Sequence, residues 1–563
     1  MSSSNGAGTR AADLMVDCLS AQGADRVFCV PGESYLALLD ALQDSDKIEL
    51  ITCRHEGGAG FMALTDGKIT GQPGVAIVSR GPGATNASIA VHMAEQDAVP
   101  LVLLIGQVDR ADRGRGAFQE VDYSAYFGTM AKGIWEINDA AELPQIIADA
   151  FALAVDGKPG PVILSLPEDM LYDKVATEVV LPEPRERIEP DDADIETVME
   201  LLNKAERPLI IAGGFLRDEQ ARSALLKVAD AHKVPVALAF KHQDVFDNAH
   251  DSFAGYLGFK IPRPQVDALA EADLIIAVGT RMTDVTTQNY TFPAAPKPKQ
   301  PLVHVYPDAG VIGSVFETTC GIDCDPTAFL ERLAAETSEN MDARLGWRDG
   351  LHKRAADLAT YVPRNAPDGV DFGAVVHALT KHAKEDSVIV TDAGNFSSWV
   401  HRHWPWGKRT RLFGAVGGAM GMGVPGAVAA NLRLPGRQIL CFSGDGGALM
   451  TGNELATAIM HEVPIKLFIS NNGSYGTIRQ HQEMGFPGRG GGTALAQPNF
   501  AKWAESYGAK GLVIDENSDI DKVVAEALES EQSVVVDVRS SLELISAYTS
   551  INEIHQRQQA TSN

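Results

Sequence analysis

Short runs of apolar, largely β-branched residues recur along the whole chain, and most carry no alternation of polar and apolar positions. A strand that is apolar on both faces must be covered on both faces, which is the condition met inside a parallel sheet flanked by helices. Arg26–Val30, Ile48–Cys53, Val75–Ser79, Leu101–Ile105 and Val162–Leu166 are such runs in the first third. Leu209–Ala212, Val234–Ala239, Leu274–Val278 and Leu302–Tyr306 repeat the pattern, as do Val388–Thr391, Gln438–Phe442, Ile465–Ser470 and Val534–Val538. Two stretches rich in proline and charge, Leu181 to Asp192 and Tyr361 to Gly369, interrupt it. The expectation is an α/β protein of three doubly wound parallel-sheet domains, spanning residues 1–180, 190–345 and 365–550 of the 563. Ligands of such sheets bind in the crevice at the strand carboxyl ends.

Forty-eight Lys and Arg against seventy-four Asp and Glu leave a formal charge of −26. That field repels nucleic acid and anionic membranes, and no local basic patch overrides it. The six cysteines include no CxxC pair, so neither a disulfide framework nor a zinc knuckle is expected. The Ser/Gly-rich start, Met1 to Arg10, has no apolar signal core, and no apolar run reaches the roughly 18 residues of a membrane span. The reading is a cytoplasmic protein.

The chemistry concentrates in the last third. One strand runs into Gly444-Asp445-Gly446-Gly447, and the next ends in Asn471-Asn472. Asp445 and the amide oxygen of Asn472 are hard oxygen ligands suited to Mg²⁺, and the carbonyl of Ser474 is placed to be a third. Glycines around Asp445 let a diphosphate approach backbone N–H groups. Gly-Asp-Gly alone is usually a turn; with Asn-Asn ending the following strand it carries more. In this combination the chain resembles the thiamine diphosphate-dependent enzymes.

The resemblance implies a glutamate in another domain, and Arg54-His55-Glu56-Gly57-Gly58 supplies Glu56. Its task would be to hydrogen-bond the aminopyrimidine, favouring the tautomer that takes the C2 proton; the plainer alternative is a solvated Glu paired with Arg54. Ser79-Arg80-Gly81-Pro82-Gly83-Ala84-Thr85-Asn86 is similar to a segment of the acetohydroxyacid synthase branch that lines the pyrimidine, with Arg80 in place of a small residue. Pro82, Asn86 and Gly32, in Val30-Pro31-Gly32, are therefore expected at the cofactor. Gly106-Gln107-Val108, Phe118 and Gln119 in Ala117-Phe118-Gln119-Glu120, and Lys132 match the same branch.

Carried over likewise, Met420 in Gly418-Ala419-Met420-Gly421 matches the bulky apolar residue that would prop the cofactor into its bent form, with Gly418 expected at the cofactor beside it, though methionine is more often simply core. Asn395, Phe396 and Ser397 form the diphosphate-side loop, with Phe396 where histidine is common, and Tyr475-Gly476-Thr477 continue the metal loop. Arg281 matches the arginine that holds an acceptor's carboxylate, with a surface pair to Asp284 as the alternative. His481 replaces the branch's acceptor-selecting tryptophan. Glu33 replaces glycine, either as a buried proton donor or as a helix-start carboxylate. The central domain keeps Ala212-Gly213-Gly214 but has Val285-Thr286 where an acid-Arg pair is usual, so FAD is doubtful and an empty or ADP-type site is equally expected.

The implied reaction is decarboxylation of a 2-oxo acid such as pyruvate, followed by coupling of the enamine to a second carbonyl compound. Segment Asn471–Arg479 also resembles benzoylformate decarboxylases, which keeps a simple 2-oxo acid decarboxylase as the alternative. The resemblance also implies a homo-oligomer, a dimer or dimer of dimers, with Glu56 and Asp445 of one site on different chains.

Overall fold

The computed structural model describes residues 8–339, 341–496 and 498–562; the first seven residues of the Ser/Gly-rich start lie outside the described residues. Three sheets of six parallel strands account for the recurring apolar runs. The first contains Arg26–Cys29, Glu49–Thr52, Gly74–Val78, Leu101–Gln107, Gly133–Glu136 and Pro161–Pro167; in chain order the strands lie 2-1-3-4-6-5 across the sheet. The third, made of Val388–Thr391, Arg411–Gly414, Ile439–Gly444, Lys466–Ser470, Lys510–Ile514 and Val534–Val538, repeats that order. The central sheet differs. Pro208–Ala212, Val236–Leu238, Phe253–Tyr256, Leu274–Val278, Leu302–Val305 and Cys320–Ile322 lie in the order 3-2-1-4-5-6 of a dinucleotide-type fold.

Each order has a switch point beside its first strand, where the connections from two adjacent strands leave in opposite directions and the carboxyl ends open into a crevice. It falls between Arg26–Cys29 and Gly74–Val78 in the first sheet and between Val388–Thr391 and Ile439–Gly444 in the third. In the central sheet it lies between Pro208–Ala212 and Leu274–Val278.

The outer sheets are joined by a shared core. Helix Glu56–Thr70 is buried from Gly57 to Gly67, because it lies between its own sheet and helix Gly423–Arg433 of the third domain. Phe61, Met62 and Leu64 meet Met422, Val424 and Val428 there in one apolar cluster. At its rim Arg433 reaches back to Asp66 and Asp25, each at 2.7 Å. Among the described residues no helix is long and apolar enough to cross a membrane, and all six cysteines are free thiols.

Candidate active site

The loops that leave the third sheet at its switch point build a cavity of about 350 Å³. Asp445 opens helix Asp445–Thr451 and is 3% exposed. Its two oxygens accept hydrogen bonds from the N–H groups of Gly446 and Gly473, both at 2.8 Å, which fixes the carboxylate between the two strand ends. Burial nevertheless pushes its carboxyl up to about 6, against the pull of those bonds. The Asn472 amide oxygen accepts from the N–H of Ser474 at 3.0 Å, and the buried Ser474 hydroxyl has no partner among the described residues. One buried carboxylate, an amide oxygen and nearby carbonyls form a hard-oxygen set that fits Mg²⁺. Among the described residues no group of three His, Cys, Asp or Glu side chains offers an alternative centre. A side chain at Gly447 would sit 2.5 Å from a carboxylate oxygen of Asp392, so only glycine lets the backbone lie this low beside Asp445.

The cavity collects the rest of the expected diphosphate-side residues. Asn395, Phe396 and Ser397 enter from the loop after Val388–Thr391, Gly418 and Met420 from the turn before helix Gly423–Arg433, and Gly446 and Gly447 from beside Asp445. Tyr475, Gly476, Thr477 and His481 enter from the start of helix Gly476–Gly485. Met420 is half-buried on the cavity wall, and the core position is taken by Met422 two residues later. The Phe396 ring packs edge-on to Phe372, 6.4 Å away, and offers no hydrogen bond where histidine is common.

Three parts of the wall were not read from the sequence. Tyr256, Phe259 and Lys260 arrive from the edge of the central sheet, His401 from helix Ser397–His403, and Ser546 and Tyr548 from the tail beyond the last strand. The tail is tied down by the Asn395 amide, which donates to the Ile545 carbonyl, and by the Ala547 N–H, which donates to the Ser398 hydroxyl at 3.0 Å. Tyr548 and Tyr256 share a hydrogen bond between their hydroxyls, and burial raises both phenols, Tyr548 to about 12. Burial and the nearby Lys260 charge lower the His481 imidazole, so it is neutral at pH 7.

The residues expected on the pyrimidine side gather at the switch point of the first sheet. Glu56 begins helix Glu56–Thr70, where His55 Nδ1 caps the Gly57 N–H at 2.9 Å. Its partner is Asn86, which donates to the Glu56 carboxylate at 2.9 Å from helix Pro82–Asp97; Arg54 instead donates to the Thr52 carbonyl. Glu454 of the third domain, 0% exposed, accepts the backbone N–H groups of Arg54 and His55, both at 3.0 Å, and so holds the turn that carries Glu56. Arg80 ties the neighbouring loops together. Its buried guanidinium reaches Glu33 at 3.1 Å, Glu168 at 3.0 Å and the Phe118 carbonyl at 3.3 Å. Gly32 lies close to Ser79, and Gly81, just before Pro82, lies close to Gln119, whose φ is +64°. Phe118 is 72% exposed. Glu33, in a single helical turn, is 65% exposed and paired with Arg80, so the burial expected of a proton donor is absent from this chain.

Two expected residues lie elsewhere. Lys132 precedes Gly133–Glu136, and its N–H bonds the carbonyl of Pro161, the first residue of the adjacent strand. In a parallel sheet this is the amino end, opposite to the end bearing Glu56 and Gln119, so Lys132 does not join them. Arg281 donates to the Gln96 carbonyl and lines a separate cavity of about 510 Å³ at the switch point of the central sheet. Arg217, Arg411 and Arg437 also line it, beside the turns Gly213-Gly214 and Gly279-Thr280. Arg217 and Arg281 belong to the central domain and Arg411 and Arg437 to the third, and Asp97, Asp218 and Asp244 line the same cavity; guanidiniums are the side chains suited to phosphate. No residue of the first domain lines the cavity around Asp445.

Three family models match in chain order: the N-terminal TPP binding domain of thiamine pyrophosphate enzymes over residues 9–126, their central domain over 195–333 and their C-terminal TPP binding domain over 392–538. The acetolactate synthase large subunit of Lactococcus lactis is 31% identical over 514 residues, 90% of this chain and 88% of that protein. The large subunit of Escherichia coli acetolactate synthase isozyme 1 is 29% identical, with 94% of each chain covered. The putative thiamine pyrophosphate-containing protein YdaP of Bacillus subtilis is also 29% identical, over 94% of this chain and 91% of its own. A three-sheet fold, a glycine cradle with a buried metal-type carboxylate, and similarity along nearly the whole chain converge: the protein belongs to the thiamine pyrophosphate enzyme family and is an enzyme of the acetolactate synthase type.

Proposed function

We propose that the chain binds thiamine diphosphate with Mg²⁺, decarboxylates a small 2-oxo acid and couples the product to a second carbonyl compound. The observation that carries this reading is the meeting, in one cavity, of the Asp445–Asn472–Ser474 oxygen set with a glycine-rich cradle and Met420. Asp445, Asn472 and the Ser474 carbonyl would hold the metal, and Gly446, Gly447, Gly476 and Thr477 would receive the diphosphate on backbone N–H groups. The bound cofactor supplies the electron sink that makes decarboxylation of a 2-oxo acid accessible. Glu56, oriented by Asn86 and Glu454, would hold the proton at the pyrimidine ring.

Glu56, Asn86, Pro82 and Gly32 lie outside the Asp445 cavity of their own chain. The complete site is therefore proposed to form in a homo-oligomer, with the Glu56 crevice of one copy closing on the Asp445 cavity of another. Exposed apolar side chains near both halves, Phe118 and Ile89 on one and Leu449 and Met450 on the other, support such a contact. Six unpaired thiols accord with a reducing, cytoplasmic setting.

The distance of Arg281 from the cavity favours a second reading, simple decarboxylation, because the arginine expected to hold an acceptor's carboxylate is not there. Proton NMR of products from pyruvate, cofactor and Mg²⁺ separates the two. Acetolactate or another coupled hydroxyketone supports coupling, acetaldehyde alone supports the decarboxylase, and no consumption of pyruvate or bulkier 2-oxo acids refutes both. The arginine-lined central crevice is proposed to take a nucleotide diphosphate of the ADP or FAD kind; a flavin spectrum, or an adenine nucleotide released on denaturation, distinguishes them, and neither would refute it.

A further inference from the structure

The central-domain wall of the Asp445 cavity carries a cation that the cradle does not need. Lys260 stands four residues beyond Phe253–Tyr256 with φ +53°, a left-handed conformation that a residue with a Cβ adopts only under constraint. The residue lines the cavity. Its Nζ is shielded from solvent and has no hydrogen-bond or ion-pair partner among the described residues. The surroundings are apolar or neutral: the Phe240 and Phe259 rings meet edge to face at 5.0 Å, and His481 is the neutral imidazole within reach of the Lys260 charge. The other lysine of the wall, Lys241, is already committed to the Ala415 carbonyl at 2.7 Å. An ammonium placed out of water with nothing to bind is costly, and an anionic ligand is what removes the cost.

Two anions would enter this cavity under the reading above, on which this inference rests. The cofactor diphosphate has its own donors, the metal and the N–H groups of two glycine-rich turns. The carboxylate of the 2-oxo acid donor departs as neutral CO₂, so a cation gripping it would stabilise the ground state more than the transition state and slow the reaction. The cation is useful only to a carboxylate that survives into the product. The geometry points to Lys260 as a specificity-determining residue that pairs with such a retained carboxylate, borne by the acceptor or by the far end of the donor. This chain therefore selects substrates with an acid group beyond the one it removes, and Lys260 takes the part for which Arg281 is wrongly placed.

The test compares matched substrates that differ only in the retained group, in wild type, Lys260→Gln and Lys260→Arg, each loaded with thiamine diphosphate and Mg²⁺. The pairs are 2-oxoglutarate against 2-oxopentanoate as donor, and pyruvate against acetaldehyde as acceptor. The wild-type protein is expected to prefer the carboxylate-bearing member of at least one pair, and Lys260→Gln to lose about ten- to a hundred-fold of that preference, the range of one charge-assisted hydrogen bond. Lys260→Arg should keep most of it. A ratio taken within one variant is insensitive to partial misfolding. Calorimetric titration with thiamine diphosphate is run alongside and should give the same affinity in all three proteins. Absence of preference in the wild type, a preference that survives Lys260→Gln, or weakened cofactor binding in that variant each overturns the assignment. A wild-type protein that binds no cofactor, or turns over no 2-oxo acid, refutes the underlying reading and this one with it.

Discussion

Glu454 links the two halves of the proposed site within one chain, and its removal should be felt at Glu56. One carboxylate oxygen accepts the N–H groups of Arg54 and His55 at 3.0 Å, and the other accepts the Thr457 hydroxyl at 2.6 Å. The carboxylate sits so close to the helix that a side chain at Gly58 would lie 2.4 Å from it. Glu454→Ala leaves two partly buried N–H groups at the start of helix Glu56–Thr70 without an acceptor. At about 1–3 kcal/mol for each unsatisfied group, less what entering water restores, the loss is about 3 kcal/mol. For a domain of this size that corresponds to a fall in Tm of roughly 6–12 °C. The helix start that carries Glu56 loses its anchor, and a displacement near 1 Å in a catalytic group costs about 100-fold in rate. The expected result is kcat lower by 10- to 100-fold with thiamine diphosphate affinity, measured by tryptophan fluorescence, nearly unchanged, since the diphosphate cradle is untouched. Glu454→Gln keeps one oxygen for both N–H groups and should cost under about 1 kcal/mol. A Glu454→Ala protein with the lowered Tm but wild-type kcat would refute the positioning argument and leave Glu454 as a strut between domains.

Glu56→Gln should retain cofactor binding while lowering turnover by about 10²- to 10⁴-fold, read in steady-state kinetics with saturating thiamine diphosphate. Asp445→Asn should abolish the rise in Tm that Mg²⁺ and thiamine diphosphate together give the wild type, a rise that chelation of the metal should also reverse. Burial lowers His401 from its ordinary 6.5 to about 3 and His403 to about 4, so between these values the unfolded chain binds more protons than the folded one. Stability is then fully present above about pH 6.5 and falls as the pH drops, by up to about 1.4 kcal/mol per pH unit for each group; His401→Phe should flatten the urea midpoint against pH between 6 and 4.

What the sequence revealed of the fold follows burial. Five strands of the three six-stranded sheets escaped the reading of apolar runs: Gly133–Glu136, Phe253–Tyr256, Cys320–Ile322, Arg411–Gly414 and Lys510–Ile514. Each lies at an edge of its sheet. An edge strand has one neighbour and partial cover, so its residues need not be uniformly apolar, and Gly-Ile-Trp-Glu at 133–136 is only half-buried throughout. That the residues around Asp445 share one cavity was legible because the metal ligation and diphosphate approach proposed for them would demand particular residue types at strand ends. Lys132 and Arg281 were misplaced for a common reason: matching residues along a line does not tell which end of a parallel strand, or which of three crevices, a side chain reaches. Lys260, Tyr256 and Tyr548 left no signal because they come to the cavity from an edge strand and from the tail, where no motif constrains them.

The packing of helix Glu56–Thr70 against helix Gly423–Arg433 fixes the outer domains to each other, and in that arrangement Glu56 stays outside the Asp445 cavity. The proposed two-fold pair of chains would resolve this without moving either domain, because an isologous contact that brings one copy's Glu56 crevice to the other's Asp445 cavity makes the reverse contact as well. This yields a test that does not depend on reading an interface. Glu56→Gln and Asp445→Asn homodimers should each be nearly inactive. When the two proteins are mixed and their subunits exchanged, a mixed dimer has one site carrying both defects and one site carrying neither. With random exchange half the dimers are mixed and half of their sites are intact, so activity should return to about a quarter of the wild-type value. If Glu56 and Asp445 served the same site from one chain, every site in the mixed dimer would keep a single defect. Mass spectrometry showing mixed dimers with no recovered activity would therefore refute the shared site.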